Sequence, residues 1–254
     1  MLPINNCYNL DCIQGMKLID NKSIGLLLTD PPYDVGYDKK SEELNKIGKG
    51  RQKQINRDKD YIESSINYKD FCQQLFRVMK VNTHCYIFCS SKQIKDWILN
   101  MENSGFKFIQ VLIWQKNKST FDMTRGYKYS EIKEQILFFM KGWKRLNING
   151  KYPTSILKFN VNISNKFHPT EKPMNLLYRL IQLSSKEEDL VLETFAGSGN
   201  HLLAIQNLKR NFIGFELSKG FYEQILVRLK LQPKQLELTK EIQKYHQKED
   251  WLKS

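Results

Sequence analysis

The chain has 254 residues, 41% of them hydrophobic, which suffices to bury a full α/β core and sits within the range of ordinary single domains. Forty Lys and Arg against 27 Asp and Glu leave a formal charge of +13, the balance of a protein that meets a polyanion. Apolar stretches such as Ile136 to Met140 are too short to span a bilayer, and Met1-Leu2-Pro3-Ile4 lacks the basic start and apolar core of a secretory signal, so the chain reads as cytoplasmic, without a membrane partner.

In chain order, Ile24-Gly25-Leu26-Leu27-Leu28-Thr29 reads as a buried strand ended by Asp30-Pro31-Pro32-Tyr33. Residues 36–60 are polar and aperiodic, include Gly48 and Gly50, and read as a mobile loop beside that corner. Residues 66–115 read as helix, strand (Cys85 to Cys89), helix and strand (Phe108 to Trp114). The five cysteines contain no C-x-x-C. Residues 85, 87 and 89 share one face of a strand, so Cys85 and Cys89 fill core space in preference to joining His84 around a metal, and none is expected.

Between Gln115 and Lys166, two loop regions surround an apolar strand, Ile136 to Met140. After Pro173 a helix runs through Leu176, Leu177, Leu180 and Leu183, with proline at its first turn. Leu190-Val191-Leu192 is a short strand entering Glu193-Thr194-Phe195-Ala196-Gly197-Ser198-Gly199-Asn200. A helix follows over 201–208, and then a strand, Phe212 to Phe215, that stops at Glu216. The end, 233–254, is charged and weakly amphipathic and is expected to pack as a terminal helix. Strands alternating with helical patterns indicate a doubly wound, mainly parallel α/β sheet with helices on both faces.

Two segments carry chemistry. At Asp30-Pro31-Pro32-Tyr33, a carboxylate, two prolines and an aromatic ring form a rigid polar corner beside a flat π surface. Asp30 can accept one N–H of an exocyclic amine, carbonyls beside the prolines can accept the other, and Tyr33 can stack on the ring. Such a grip raises the nucleophilicity of a nitrogen whose lone pair is delocalised into a base. Alone, the same residues also read as a strand ending in a Pro-Pro turn.

The second segment is the strand–glycine turn–helix at 190–208, where backbone N–H groups and a helix N-terminus face a ligand. Glu216, about twenty residues past the glycines, stands where an acid binds ribose hydroxyls. Leu202 occupies the third glycine position of the dinucleotide fingerprint, and no Gly-Lys-Ser/Thr follows. Negative charge at Glu193 and Glu216 disfavours a pyrophosphate and suits a sulfonium cofactor with an amino-acid tail.

With both segments in view, the chain resembles the S-adenosyl-L-methionine-dependent DNA amino-methyltransferases, in particular the β group, whose catalytic tetrapeptide precedes the glycine loop. The resemblance covers residues 11–216. It implies a Rossmann-like methyltransferase fold with an antiparallel edge hairpin, as one domain over 1–254 with a small target-recognition region within 115–166. Asp30, Pro31, Pro32 and Tyr33 match the catalytic tetrapeptide. Asp11-Cys12 resembles the position that reaches the cofactor adenine. His168, Lys172 and Pro173 fall in a His-Pro-x-x-Lys-Pro segment that lines the methionine end. Phe195, Gly197, Ser198, Gly199 and Asn200, with Glu193 before them and Glu216 after, match the glycine loop and the ribose acid. The family usually has Asp-Pro-Phe where Glu193-Thr194-Phe195 stands, and a hydroxyl residue where Asn200 stands.

The charge is uneven in a way that fits DNA. Residues 107–158 hold eleven Lys or Arg against three acids, interleaved with Tyr127, Tyr129, Trp143 and Tyr152. Lys116, Lys118, Arg125, Lys128, Lys144 and Arg145 there, and Lys49, Arg51, Lys53 and Arg57 in the loop, are the candidate DNA contacts. The expected reaction is methylation of adenine N6 in a base flipped from DNA, because relatives acting on cytosine N4 more often begin the tetrapeptide with Ser. Cytosine N4, an RNA adenine or a non-catalytic DNA-binding subunit stay open as alternatives, as do a homodimer and a cognate restriction endonuclease as partners.

Overall fold

Strand β2 (Ile24–Thr29) is buried at every position, as a strand must be when helices cover both faces of its sheet. It lies inside an eight-stranded sheet with β1 (Asn6–Tyr8), β3 (Met79–Cys89), β4 (Lys107–Gln115), β5 (Lys133–Lys141), β6 (Ile156–Lys158), β7 (Leu190–Glu193) and β8 (Asn211–Phe215). The strand order is β1-β8-β7-β2-β3-β5-β4-β6. The computed structural model describes residues 2–33, 66–117, 129, 132–148, 150, 152–160 and 171–231. The expected loop at 36–60 and the tail at 233–254 lie outside them.

β1, β8, β7, β2 and β3 are mutually parallel. β5 runs antiparallel between β3 and β4, and β6 joins β4 in parallel. The implied β4–β5 hairpin is therefore present but stands one strand in from the edge. β6 was not legible in the sequence: of its three residues only Leu157 is buried, too few for a periodic signal.

Strand residues alternate between two cores. Leu27, Cys85, Ile87, Cys89, Leu192, Ile213 and Phe215 face α1 (Cys12–Lys17), α2 (Tyr68–Val78) and α3 (Ile94–Asn103). Leu26, Leu28, Tyr86, Phe88, Val191 and Phe212 face α4 (Met174–Ser184), α5 (Asn200–Asn207) and α6 (Lys219–Leu229). The thiols of Cys85 and Cys89 thus fill core, as their shared strand face requires. α2 shows why these helices form where they do: Asn67 accepts the Asp70 N–H as N-cap, and Phe71, Cys72, Leu75 and Val78 make one apolar stripe. Each such fully buried large side chain contributes about 1.5–3 kcal/mol. α1 approaches β8 closely enough that a Cβ on Gly15 would stand 2.2 Å from the Phe215 ring, so only glycine fits there. Pro173 stands one position before its expected place, as N-cap of α4. Among the described residues no helix is long and apolar enough to cross a membrane.

β2 continues through α2 into β3 on one side, while its other neighbour, β7, arrives from the far end of the chain. The strand order thus reverses at β2, and in open α/β sheets ligands bind in the crevice beyond the strand ends at such a point.

Candidate active site

Both chemical segments open into this crevice, since Asp30 follows β2 and the glycine loop follows β7. Hydroxyls and a carboxylate join the two strand ends. The Thr29 hydroxyl donates to Glu193 Oε1 at 2.6 Å and lies 2.7 Å from the Thr194 hydroxyl. Glu193 Oε1 also accepts the Phe195 N–H at 2.9 Å, and Oε2 is paired with His201 Nδ1. Glu193 is fully buried. Its charge therefore does not bracket the ligand side of the loop as the sequence led us to expect; it is held inward by Thr29, Phe195 and His201. The departures from Asp-Pro have a local reason, because the longer acid reaches His201 and Thr194 adds a hydroxyl next to Thr29.

The loop turns on Gly197 (φ 52°) and Gly199 (φ 77°), both in the left-handed region that glycine enters without strain. Gly199 is the N-cap of α5. The Gly197 N–H donates to Glu216 Oε2 at 2.7 Å, and Glu216 Oε1 accepts the Ser218 N–H at 2.8 Å. Burial raises the Glu216 pKa against the pull of these N–H groups. A Cβ built on Gly197 meets nothing within 4 Å, so the described residues leave room for a ligand against the backbone there. Asn200 Nδ2 donates to the Lys172 carbonyl at 2.6 Å, and Arg228 on α6 contacts Asn200 Oδ1, the Ser198 carbonyl and Glu171 Oε1 at 3.0, 3.0 and 2.6 Å. One arginine and one amide thus tie the glycine loop to the segment carrying Lys172.

Lys172 itself faces the catalytic corner. Its ammonium lies 2.6 Å from Asp30 Oδ2 and 3.0 Å from Glu134 Oε2. Lys116 binds the other oxygen of Glu134 at 2.7 Å, and the Tyr33 hydroxyl donates to Glu134 Oε2 at 3.2 Å. Burial alone would lower the Lys172 pKa, but Asp30 and Glu134 outweigh it and raise it. Burial likewise opposes ionisation of Glu134, and Lys172 and Lys116 reverse that, holding its pKa below the usual value. Burial, then the charges of Asp30 and Glu134, push the Tyr33 pKa well up, so it remains a neutral phenol. Gln93 Nε2 donates to the Pro32 carbonyl at 3.0 Å. Asp30 Oδ1 is buried and has no hydrogen-bond partner among the described residues. That orphaned acceptor is the outstanding feature of the corner, because buried acceptors are nearly always satisfied.

Several of the residues singled out in the sequence have partners within the protein. Lys172 engages Asp30 and Glu134, so it belongs to the corner as well as to the cofactor segment. Asp11 Oδ1 caps α1 by accepting the Ile13 and Gln14 N–H groups, and Cys12 is buried in the core behind it. Of the candidate DNA contacts, Lys116 is held by Glu134, and the Lys144 ammonium donates to the Ser184 carbonyl at 2.7 Å. Arg145 is exposed. Strand direction sets it far from Asp30, however: β5 starts at the catalytic rim and ends, just before Trp143-Lys144-Arg145, at the opposite one. Its nine residues separate the two rims by roughly 30 Å. Lys133 and Lys158 are exposed bases at the catalytic rim. His168, Lys49, Arg51, Lys53, Arg57, Lys118, Arg125 and Lys128 lie outside the described residues.

Glu134, Gln93, Thr29, His201 and Arg228 escaped sequence reasoning. Glu134 heads an apolar strand, where a charged residue ordinarily marks a solvent-facing end, and only the β3–β5–β4 pairing brings it to Lys172. His201 read as a helix opener, and its place beside Glu193 was the available hint.

A mainly parallel sheet with a glycine loop and an acidic, proline-rich corner at its switch point defines a Rossmann-like methyltransferase architecture. The chain belongs to the DNA methylase family N6_N4_Mtase, whose pattern matches residues 24–227. It is 26% identical to the type II methyltransferase M.HindIII of Haemophilus influenzae, over 89% of this chain and 95% of that one. It is 30% identical to the type II methyltransferase M.HpaI of Haemophilus parainfluenzae, over 88% of this chain and 73% of that one. The crystal structure of an M1.HpyAVI–SAM complex superposes with a TM-score of 0.64 at 24% identity, covering 88% of this chain and 98% of that one.

Proposed function

We propose that this DNA methylase transfers a methyl group from S-adenosyl-L-methionine to the exocyclic N6 of an adenine flipped out of DNA. The observation that carries the reading is the buried, unpartnered Asp30 Oδ1 at the crevice rim, beside a glycine loop with open space at Gly197. A base in a duplex cannot reach this corner, so it must leave the stack. Asp30 Oδ1 accepts one N–H of its amine. The Pro31 carbonyl takes no hydrogen bond from a described residue and accepts the other, the Pro32 carbonyl being held by Gln93. Tyr33, fixed through its hydroxyl by Glu134, presents its ring to the base.

The cofactor fits the loop residues. Gly197, Ser198, Gly199 and Phe195 offer backbone and ring, Glu216 suits the ribose, Asp11 the adenine, and Pro173 the methionine end. S-Adenosyl-L-methionine, when bound, supplies a methyl group activated on a sulfonium. The two acceptors at Asp30 and Pro31 stabilise the positive charge that grows on the amine nitrogen as the methyl arrives. The surplus amine proton then departs, and Asp30 is the base in contact with it. Adenine is favoured over cytosine because the tetrapeptide begins with Asp. The DNA surface is the catalytic rim with Lys133 and Lys158, and a companion restriction endonuclease is the partner such an enzyme implies.

Incubation with labelled S-adenosyl-L-methionine and mixed-sequence DNA, followed by digestion to nucleosides, tests the reading. N6-methyladenine is the expected product. N4-methylcytosine would overturn the choice of base, and label in RNA but not DNA would overturn the substrate. No label in either would overturn catalysis.

A further inference from the structure

Building on that reading, we propose that Glu134 is a positioning residue: it keeps Lys172 on one oxygen of Asp30, so that the other remains open to the target amine. An ammonium carries three N–H donors. Those of Lys172 meet Asp30 Oδ2 at 2.6 Å, Glu134 Oε2 at 3.0 Å and, weakly, the Tyr33 hydroxyl at 3.4 Å. Glu134 cannot follow a moving lysine, because Lys116 holds its other oxygen at 2.7 Å and the Tyr33 hydroxyl binds the shared one at 3.2 Å. Lys172 thus bridges two carboxylates, of which Glu134 is fixed by its other partners.

Its surroundings decide what happens if one is lost. The Lys172 side chain is only 4% exposed, and the rings of Phe88 and Tyr33 lie 5.1 and 5.3 Å from its nitrogen. An underpaired ammonium in such a place is costly. The carboxylate left within reach is Asp30, and an ammonium with two free N–H groups straddles both of its oxygens. Asp30 Oδ1, now without a partner, would accept from Lys172, and the site for the amine N–H would close. Glu134 touches neither base nor cofactor in this scheme; it acts through Lys172.

The test is Glu134→Met, which keeps an unbranched side chain of similar length and removes both the charge and the acceptor oxygens. Expected are a fall in kcat of about tenfold or more at saturating DNA and cofactor, and a KM for S-adenosyl-L-methionine within about twofold of wild type. A crystal structure of the variant is expected to show Lys172 Nζ in hydrogen-bond contact with both Asp30 oxygens. Should the single variant fail to fold, the Glu134→Met/Lys116→Met double variant removes the unpaired Lys116 ammonium and is expected to lose kcat to the same degree. A kcat within about twofold of wild type in the folded variant, or a structure in which Oδ1 stays free, overturns the assignment while the proposed function stands. A wild-type protein that methylates no nucleic acid overturns both.

Discussion

Asn200 donates its side-chain N–H to the Lys172 carbonyl at 2.6 Å, which ties the glycine loop to the lysine that pairs with Asp30. Asn200 is buried, and Arg228 fixes its amide orientation. Asn200→Ala is expected to lower kcat/KM about 5–30-fold, the equivalent of about 1–2 kcal/mol for a buried hydrogen bond. Steady-state kinetics with varied cofactor check this, and an unchanged kcat/KM would show that the two segments hold their geometry independently.

Asp30→Ala is expected to reduce turnover by about 10²–10³-fold or more, because it deletes the acceptor on which charge development depends. Lys172 retains Glu134, so the variant should fold, and cofactor affinity measured by calorimetric titration should change little. A large loss of affinity would mean that Asp30 belongs chiefly to the cofactor site.

Glu193→Ala would strand the Phe195 N–H and His201 in a fully buried place and leave the Thr29 hydroxyl to Thr194. Removing one partner from such a site is expected to lower stability by about 3–5 kcal/mol. Denaturant unfolding reads this out, and a loss near zero would mean that the strand ends relax around the gap.

His84 is buried between Ser184 and the Lys144 carbonyl, at 2.8 and 3.1 Å, and burial lowers its pKa from 6.5 to about 4. The unfolded chain therefore binds more protons between those values. Stability from keeping His84 neutral is complete above pH 6.5 and is lost as the pH falls toward 4, on the order of 3 kcal/mol in all. Urea unfolding at pH 7.5 and pH 5 should show a steeper loss for wild type than for His84→Asn, and parallel losses would remove His84 as the cause.

Replacing Lys133 and Lys158 by alanine is expected to weaken DNA binding and to flatten its dependence on salt, by about 0.9 in log–log slope for each phosphate that is no longer neutralised. Arg145→Ala, on the far rim, should leave the slope unchanged. The reverse pattern would place DNA on the opposite end of the sheet from Asp30.

The amino-acid sequence by itself determined the strand ending in Asp30-Pro31-Pro32-Tyr33, the glycine loop at 197–199, the acid at Glu216 and the order in which they occur. These signals are local: apolar runs make strands, proline and glycine stop them, and a short motif keeps its chemistry wherever the fold carries it. The tertiary structure alone decided that β5 runs between β3 and β4, and from that pairing follow the meeting of Glu134 with Lys172 and the removal of Arg145 to the far rim. It alone turned Glu193 inward to Thr29 and His201. Ion pairs across a sheet depend on strand order and direction, which arise from packing among segments distant in the chain, and no spacing along the sequence encodes them.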